Sequence, residues 1–209
     1  MPADRSLVHA KRAESREGRG ERHTAFCWCS RLLIPILIFM SSFWIHASAV
    51  VIGDVSLGDD VSVWPTAVIR GDVHFIKIGN KVNVQDGAII HCTYQKHPTT
   101  IGNNVSIGHN AMVHGCTIHD NVLIGMGSIV MDACVVHSNA IIAAGAVVLE
   151  GTIVEAGSIY AGVPAKKVKM VSEELIHGEI NRISNNYVQY ASWFSDYNDA
   201  PDATKKVSE

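Results

Sequence analysis

Residues 118–160 read IHDNVLIGMGSIVMDACVVHSNAIIAAGAVVLEGTIVEAGSIY, with an aliphatic or aromatic residue at every sixth position. These positions, called marks below, are Ile118, Ile124, Val130, Val136, Ile142, Val148, Val154 and Tyr160. An amphipathic helix repeats every 3.6 residues and a half-buried strand every two, so neither explains this period. A fixed short repeat of this kind is the signature of a solenoid.

The same period extends back to Ile45, with visible shifts in phase. The earlier marks are Ile45, Val51, Leu57, Val63, Ile69 and Phe75, then Ile78, Val84 and Ile90, then Ile101, Ile107 and Val113. Each hexapeptide predicts one short strand, with tight turns at the corners, where glycines such as Gly58 and Gly79 supply a permissive backbone. We therefore predict an all-β solenoid of stacked parallel strands over residues 45–171.

The N-terminal residues 1–44 do not follow the repeat and predict a poorly defined extension. A basic stretch precedes an apolar run over residues 32–45, and Ala47-Ser48-Ala49 matches the rule for signal-peptide cleavage. However, Pro35 interrupts the run, cleavage would remove the mark at Ile45, and about fourteen apolar residues are short for a membrane span. We expect a cytoplasmic protein without a membrane role, and export remains the alternative.

The C-terminal residues predict an amphipathic helix over 172–194 and a disordered tail over 195–209. Ser172 is a good N-cap, and Glu173 and Glu174 suit the first turn of a helix. Apolar residues recur at three-four spacing, at Ile176, Ile180, Ile183, Tyr187, Tyr190 and Phe194. This face is expected to pack on the solenoid of its own subunit or of a neighbouring one.

The composition limits the kinds of partner and ligand that the sequence predicts. The chain has 209 residues and a formal net charge of −3, which does not favour nucleic-acid binding. Among its five cysteines, Cys134 occupies a small-residue position of the repeat and is expected to be buried. Cys27 and Cys29 form a lone Cys-x-Cys, which is too little for a metal site.

Two histidines can be placed on one side of the solenoid by counting. Ile90 and Ile101 are eleven residues apart, one hexapeptide plus five, so residues 94–98 are predicted to form an extruded loop. His91 and His114 each follow a mark on the same side, one coil apart. Adjacent strands are separated by about 4.7–4.9 Å, so the two imidazoles are close enough to share a divalent metal.

The same counting places two further residues. Arg70 falls in the column of His91 and His114, after allowance for a three-residue slip near residues 75–77. His109 lies two positions past Ile107, towards the next corner. It is poorly placed for the metal of its own column and well placed to reach a neighbouring solenoid.

Three motifs resemble the γ-class carbonic anhydrase family: Ile69-Arg-Gly-Asp72, Asn83-Val-Gln-Asp86-Gly before His91, and Ile107-Gly-His109-Asn-Ala-Met-Val-His114. The resemblance covers roughly Val50 to the end of the helix. It implies a left-handed parallel β-helix and a homotrimer with a metal at each subunit interface. His91 and His114 would bind the metal together with His109 of the next subunit, and the ion would be Zn²⁺, with Fe²⁺ or Co²⁺ as alternatives.

The resemblance also implies the reversible hydration of carbon dioxide to bicarbonate, because zinc lowers the pKa of a bound water from 15.7 to about 7. Asn83 and Gln85 would orient the hydroxide or the carbon dioxide. Arg70 and Asp72 would form an ion pair near bicarbonate at the subunit boundary, and Asp86 would join this network. The planar guanidinium of arginine suits both an ion pair with a carboxylate and parallel hydrogen bonds to bicarbonate.

One departure from the family pattern concerns removal of the proton that the reaction releases. Active members of the family have glutamates near the metal, whereas the loop here reads Cys92-Thr-Tyr-Gln-Lys-His97-Pro and Val73 follows Asp72. Without an acidic shuttle, proton removal could limit a slow enzyme. His97 is a candidate substitute because an unperturbed histidine has a pKa near 6.5, and the alternative interpretation is a histidine in contact with solvent.

Three other functions stay open. The first is acyl transfer, because Gly162-Val-Pro-Ala-Lys resembles the segment that contacts coenzyme A in hexapeptide acyltransferases. The second is a metal-dependent thioesterase acting on acyl-CoA. The third is a non-catalytic trimeric assembly subunit, which the missing acidic shuttle would suit.

Overall fold

The computed structural model describes residues 42–194. The predicted tail, Cys27, Cys29 and all but the last residues of the predicted N-terminal extension lie outside this range. Eighteen strands and a helical segment follow one another along the chain. The strands are β1 (Phe43–Ile45), β2 (Val50–Leu57), β3 (Val61–Val63), β4 (Val68–Ile78), β5 (Asn83–Val84), β6 (Ile89–His91), β7 (Thr99–Ile101), β8 (Ser106–Ile107), β9 (Met112–His114), β10 (Thr117–Ile118), β11 (Leu123–Ile124), β12 (Ile129–Val130), β13 (Val135–Val136), β14 (Ile141–Ile142), β15 (Val147–Val148), β16 (Ile153–Val154), β17 (Ser158–Ala161) and β18 (Lys166–Met170).

These strands form a left-handed β-helix with three sides. Side 1 contains β1, β3, β5, β8, β11, β14 and β17. Side 2 contains β6, β9, β12 and β15, and side 3 contains β7, β10, β13 and β16. The long strands β2 and β4 run through the corner from side 2 into side 3. All pairs are parallel except β17 with β18, where the chain leaves the solenoid.

The marks fill the interior, as the repeat predicts. Ile69, Ile90, Val113 and Val130 are fully buried one above another on side 2. Phe75 is an exception, because Ile76 rather than Phe75 occupies the core at that level. The prediction at Phe75 was wrong because β4 contains three extra residues at the corner, so its pairing with β2 shifts from Gly53–Gly71 to Val55–Ile76 and the next mark is Ile78.

The C-terminal helix is confirmed and packs on side 1 of its own solenoid. Helix α1 (Glu173–Leu175) continues through a π-helical segment (Ile176–Asn181) into α2 (Arg182–Trp193), and the Ser172 side chain caps the start. The ring of Trp64 meets Tyr187 edge-on, with centroids 5.1 Å apart. The three-four apolar spacing does not distinguish the wider π-helical turn from a regular one.

Two observations bear on the predicted extension. Within residues 42–194, no helix is long and apolar enough to cross a membrane. Strand β1 lies just before Ala47-Ser48-Ala49, and its Ile45 pairs with Val63. Cleavage after Ala49 would therefore remove a strand from side 1.

Candidate metal centre

Two histidines lie side by side where side 2 turns into side 3. His91 at the end of β6 is directly opposite His114 at the end of β9. Nδ1 of His91 and Nε2 of His114 are 3.0 Å apart. The ring centroids are 5.1 Å apart and the ring planes meet at 59°. The parallel register of the two strands thus directs one nitrogen of each ring at the other.

Each of these rings is held from behind by an aspartate. Nε2 of His91 is 3.0 Å from Oδ1 of Asp72, and Nδ1 of His114 is 2.5 Å from Oδ1 of Asp132. Hydrogen bonds from His91 and then Arg70 lower the pKa of Asp72. Burial raises the pKa of Asp132, but hydrogen bonds from Thr93 and His114 outweigh it, so its net pKa is lowered. Both aspartates are therefore carboxylates at neutral pH.

An ionised carboxylate only accepts hydrogen bonds, so the histidine nitrogen facing it must carry the hydrogen. The remaining nitrogens are Nδ1 of His91 and Nε2 of His114, and in neutral rings both then carry lone pairs. Two lone pairs 3.0 Å apart repel each other unless a proton or a cation lies between them. The aspartates thus prepare the pair to bind a cation.

Arg70 and Asp72 form an ion pair beside His91. Nη1 of Arg70 donates to Oδ2 of Asp72 at 2.6 Å. Both side chains are nearly half exposed, at 46% and 41%, so the guanidinium keeps free N–H groups on the surface. The sequence placed Arg70 in the column of the two histidines, and the structure joins it to them through Asp72.

His109 lies at the opposite edge of side 2, at the corner between sides 1 and 2. Its Nδ1 is 2.9 Å from Oδ2 of Asp86, and its Nε2 is 3.3 Å from the hydroxyl of Tyr187 in α2. Its side chain is 39% exposed. The third candidate ligand therefore also has an aspartate next to one nitrogen, and its other nitrogen lies beside the phenol of Tyr187.

A buried amide network supports this corner from inside. The Gln85 Oε1 accepts from the backbone N–H of His109 at 3.2 Å, and its Nε2 donates to Oδ1 of Asn83 at 2.9 Å. Asn83 in turn donates to Ser106 at 2.8 Å. Asn83 and Gln85 are almost fully buried, and these bonds fix the orientation of both amides.

Within a single chain, His109 does not contact the pair formed by His91 and His114. Over residues 42–194, no hydrogen bond, ion pair or ring contact joins His109 to His91 or His114. In the same part of the chain, no three histidine, cysteine, aspartate or glutamate side chains are arranged to hold a metal. One chain thus places the pair of His91 and His114 at one corner of side 2 and His109 at the other.

The cavities lie to either side of these residues. An apolar groove of ≈ 230 Å³ runs between side 1 and the helix, with Gln85 at one end and Leu123, Ile141 and Ile183 along it. A second cavity, ≈ 720 Å³, includes Asn80, Lys81 and Arg182 and is lined by none of the candidate site residues. The apolar groove adjoins the amide network through Gln85.

Comparison with known proteins identifies the family. A family model described as "Bacterial transferase hexapeptide (six repeats)" matches residues 98–132 and 115–150. A "Probable carbonic anhydrase" of Methanocaldococcus jannaschii is 53% identical over 146 residues, covering 70% of this chain and 89% of that protein. "Protein YrdA" of Escherichia coli is 47% identical, covering 77% and 89%. "Gamma carbonic anhydrase 2, mitochondrial" of Arabidopsis thaliana is 37% identical, covering 71% and 55%.

The chain belongs to the γ-class carbonic anhydrase family. Its histidines suit the divalent metal that carbonic anhydrases use, because imidazole is a preferred ligand of Zn²⁺ and of similar ions. In tetrahedral coordination with bonds of about 2.0–2.1 Å, two ligand nitrogens would lie about 3.3 Å apart. The 3.0 Å between His91 and His114 is close to that separation. Carboxylates behind metal-binding histidines are also typical of such sites.

The extruded loop of this member of the γ-class carbonic anhydrase family folds back on the solenoid. Thr93 and His97 pair across it, and Nε2 of His97 is buried without a hydrogen-bond partner among the described residues. The interpretation of His97 as a solvent histidine was therefore wrong for this atom. A buried, unpartnered nitrogen is equally unsuited to passing protons to water.

Sequence reasoning missed Asp132 and Thr93, and it assigned Tyr187 only to the apolar face of the helix. Asp132 had a detectable signal, because it lies eighteen residues, one coil, after His114. Counting forward along the column would have brought it next to that histidine. The contact between Tyr187 and His109 depends on how the helix crosses side 1, which the repeat does not encode.

Tyr187 gives the corner a measurable pH response. Burial, followed by the charge of Asp86, raises the pKa of Tyr187 from 10.0 to about 12. The folded chain therefore favours the neutral phenol, and this contribution to stability is complete below about pH 10 and is lost as the pH rises towards 12. The titration of Tyr187 is obtained by subtracting the phenolate absorbance of Tyr187→Phe from that of the wild type. We expect its midpoint near pH 12. A midpoint near 10 would contradict the buried contact.

Proposed function

We propose that this protein is a homotrimeric carbonic anhydrase that reversibly hydrates carbon dioxide to bicarbonate. His91 and His114 of one subunit and His109 of the next would hold a divalent cation, Zn²⁺ with Fe²⁺ or Co²⁺ as alternatives. The main supporting observation is the pair of imidazole nitrogens 3.0 Å apart, each backed by a carboxylate. This arrangement is suited to a cation and is unfavourable without a proton or cation between the rings.

The positions of the histidine pair and of His109 support a ring of subunits. The pair is at the corner between sides 2 and 3, and His109 is at the corner between sides 1 and 2. Contact between these different corners of neighbouring subunits is head-to-tail, and head-to-tail contacts close into rings when the rotation allows. With a triangular solenoid, three copies would place their second sides around a common axis.

Side 2 also carries the apolar surface that such an interface needs. Val50, Ile89, Met112 and Ile129 each precede a mark on side 2 and point outward, and they are 47%, 38%, 38% and 36% exposed. Ile89, Met112 and Ile129 are in direct register. Contiguous apolar side chains on a surface mark interaction sites, and association of three subunits would bury this column.

The residues of the chain would then divide the work. A bound divalent cation supplies a hydroxide nucleophile near neutral pH. The free N–H of the Gln85 amide, held in orientation by Asn83 and His109, would position a reacting oxygen. The free N–H groups of Arg70, beside Asp72, would bind bicarbonate through parallel hydrogen bonds. Asp86 would hold the ring of His109.

The test is made on the purified full chain. We expect a trimer with close to one divalent metal per subunit and measurable carbon dioxide hydration by stopped flow. Because the loop over residues 93–97 has no carboxylate, turnover should rise with imidazole buffer concentration, since an external base can then remove the proton. A monomer, or a trimer without metal, would overturn the proposal.

A second candidate is hydrolysis of an acyl thioester at the same centre. The apolar groove beside Gln85 favours it, because a short acyl chain would fit a volume of ≈ 230 Å³. Acyl-CoA hydrolysis measured beside carbon dioxide hydration separates the two, and a metal-loaded trimer inactive in both assays would indicate an assembly subunit.

The cytoplasm is the proposed compartment. Cys92, Cys116 and Cys134 are free and buried. Burial raises the pKa of each thiol and so keeps it protonated. Free thiols of this kind are typical of reducing compartments, where disulfides are rare.

A further inference from the structure

The extruded loop reaches the back of a candidate metal ligand. It is closed by a hydrogen bond from the Thr93 N–H to the His97 carbonyl at 3.1 Å and joined to the solenoid by one from the Gln95 N–H to Val73 at 3.3 Å. From this position, the Thr93 hydroxyl donates to Oδ2 of Asp132 at 2.5 Å. The other oxygen of Asp132 accepts from His114. A chain of three side chains thus runs from the loop to the histidine.

The backbone leaves room for this chain at Gly115. A Cβ atom built on Gly115 would lie 2.2 Å from Oδ1 of Asp132 and 2.9 Å from Cβ of His97. The φ angle of Gly115 is +52°, which also favours glycine. The Asp132 carboxylate therefore occupies space that exists because residue 115 has no side chain, and His97 packs over the same position.

We propose that Asp132 is a positioning residue that fixes the tautomer and ring orientation of His114, and that the loop over residues 93–97 serves to hold Asp132 in place. What His114 does with its free Nε2 rests on the proposed function. The role of Asp132 does not, because its hydrogen bonds are made within one chain. Since the hydrogen of His114 is held on Nδ1, the lone pair is left on the nitrogen that faces His91.

The next coil offers a matched control. Glu150 lies eighteen residues after Asp132, in the same column and at the same corner. It is exposed, and within residues 42–194 it forms no hydrogen bond or ion pair with a histidine. Glu150→Gln therefore removes a carboxylate from this edge of the solenoid without touching His114.

The decisive readout is the tautomer of His114, measured by ¹⁵N NMR in the metal-free full chain. We expect the Nδ1–H form to dominate in wild type and in Glu150→Gln, and a mixture of both forms in Asp132→Ala. Thr93→Val, which keeps the carboxylate but removes its second partner, should fall between them. A structural ion pair without a positioning role would leave the tautomer unchanged, and that result would overturn the proposal.

Metal affinity supplies a second readout, with Zn²⁺ as the probe in competition with a chelator. Loss of the carboxylate behind a metal-binding histidine typically weakens affinity about 10–100-fold, which is the loss expected for Asp132→Ala. Equal affinities of Asp132→Ala and Glu150→Gln would contradict the proposal. If Asp132→Ala does not fold, Asp132→Asn carries both measurements. A wild type that binds no Zn²⁺ would refute the proposed function, while the tautomer would still decide the role of Asp132.

Discussion

Replacing His109 by alanine is expected to reduce metal content from close to one ion per subunit to background, with the solenoid still folded. His109 is a partly exposed corner residue, so its removal leaves the core intact. Only two nitrogens would remain at each interface, and two ligands hold a divalent ion poorly where three are needed for a catalytic site. Metal analysis after gel filtration, with circular dichroism for the fold, measures both results.

His119→Ala is the matched control. His119 is an exposed histidine on side 3, stacked on His137 with ring centroids 5.1 Å apart, and it has no part in the proposed centre. Its removal should leave the metal in place. Retention of metal in His109→Ala would rule out a site shared between subunits.

Mixing two inactive variants tests the sharing directly. His109→Ala keeps the pair, and His91→Ala keeps His109, so a site can be rebuilt where one meets the other. Random trimers from an equal mixture should regain about a quarter of the wild-type sites, since each interface needs the right variant on both sides. No recovery after confirmed exchange of subunits would argue that all ligands come from one chain.

The second large effect is expected at Gly53, where two coils approach closely. A Cβ atom there would lie 2.3 Å from the carbonyl oxygen of Gly71, which is backbone and cannot rotate away. The φ angle of Gly53 is +88°, so alanine would also be strained. The two costs together predict that Gly53→Ala destabilises the fold by about 2–5 kcal/mol. Because Gly71 precedes Asp72, the shift would also disturb the support of His91.

Gly145→Ala separates the cost of the backbone strain from the cost of the steric contact. Gly145 has a φ of +68° and nothing within 4 Å of its would-be Cβ, so alanine there meets only the backbone strain, about 1–2 kcal/mol. Urea unfolding at one fixed protein concentration compares the variants, because the stability of an oligomer depends on concentration. Equal losses at both positions would contradict the close approach between Gly53 and Gly71.

The fold was predictable because each level of a solenoid meets the same neighbours, so the interior repeats in the sequence. The register of His91 on His114 follows from the same repetition. Phe75 was misplaced because β4 crosses a corner without a turn. The six-residue period of the sequence does not show where a strand stays extended in this way. The contact between Tyr187 and His109 was beyond reach because it depends on the packing of a separate element.

The separation of the candidate ligands between two corners of side 2 has a consequence for regulation by abundance. In the proposed trimer the centre forms only between chains, so specific activity should decline as the protein is diluted below the concentration at which it assembles. Metal bound between copies would in turn favour the assembled form. Such an enzyme would depend jointly on its own expression level and on the supply of its ion.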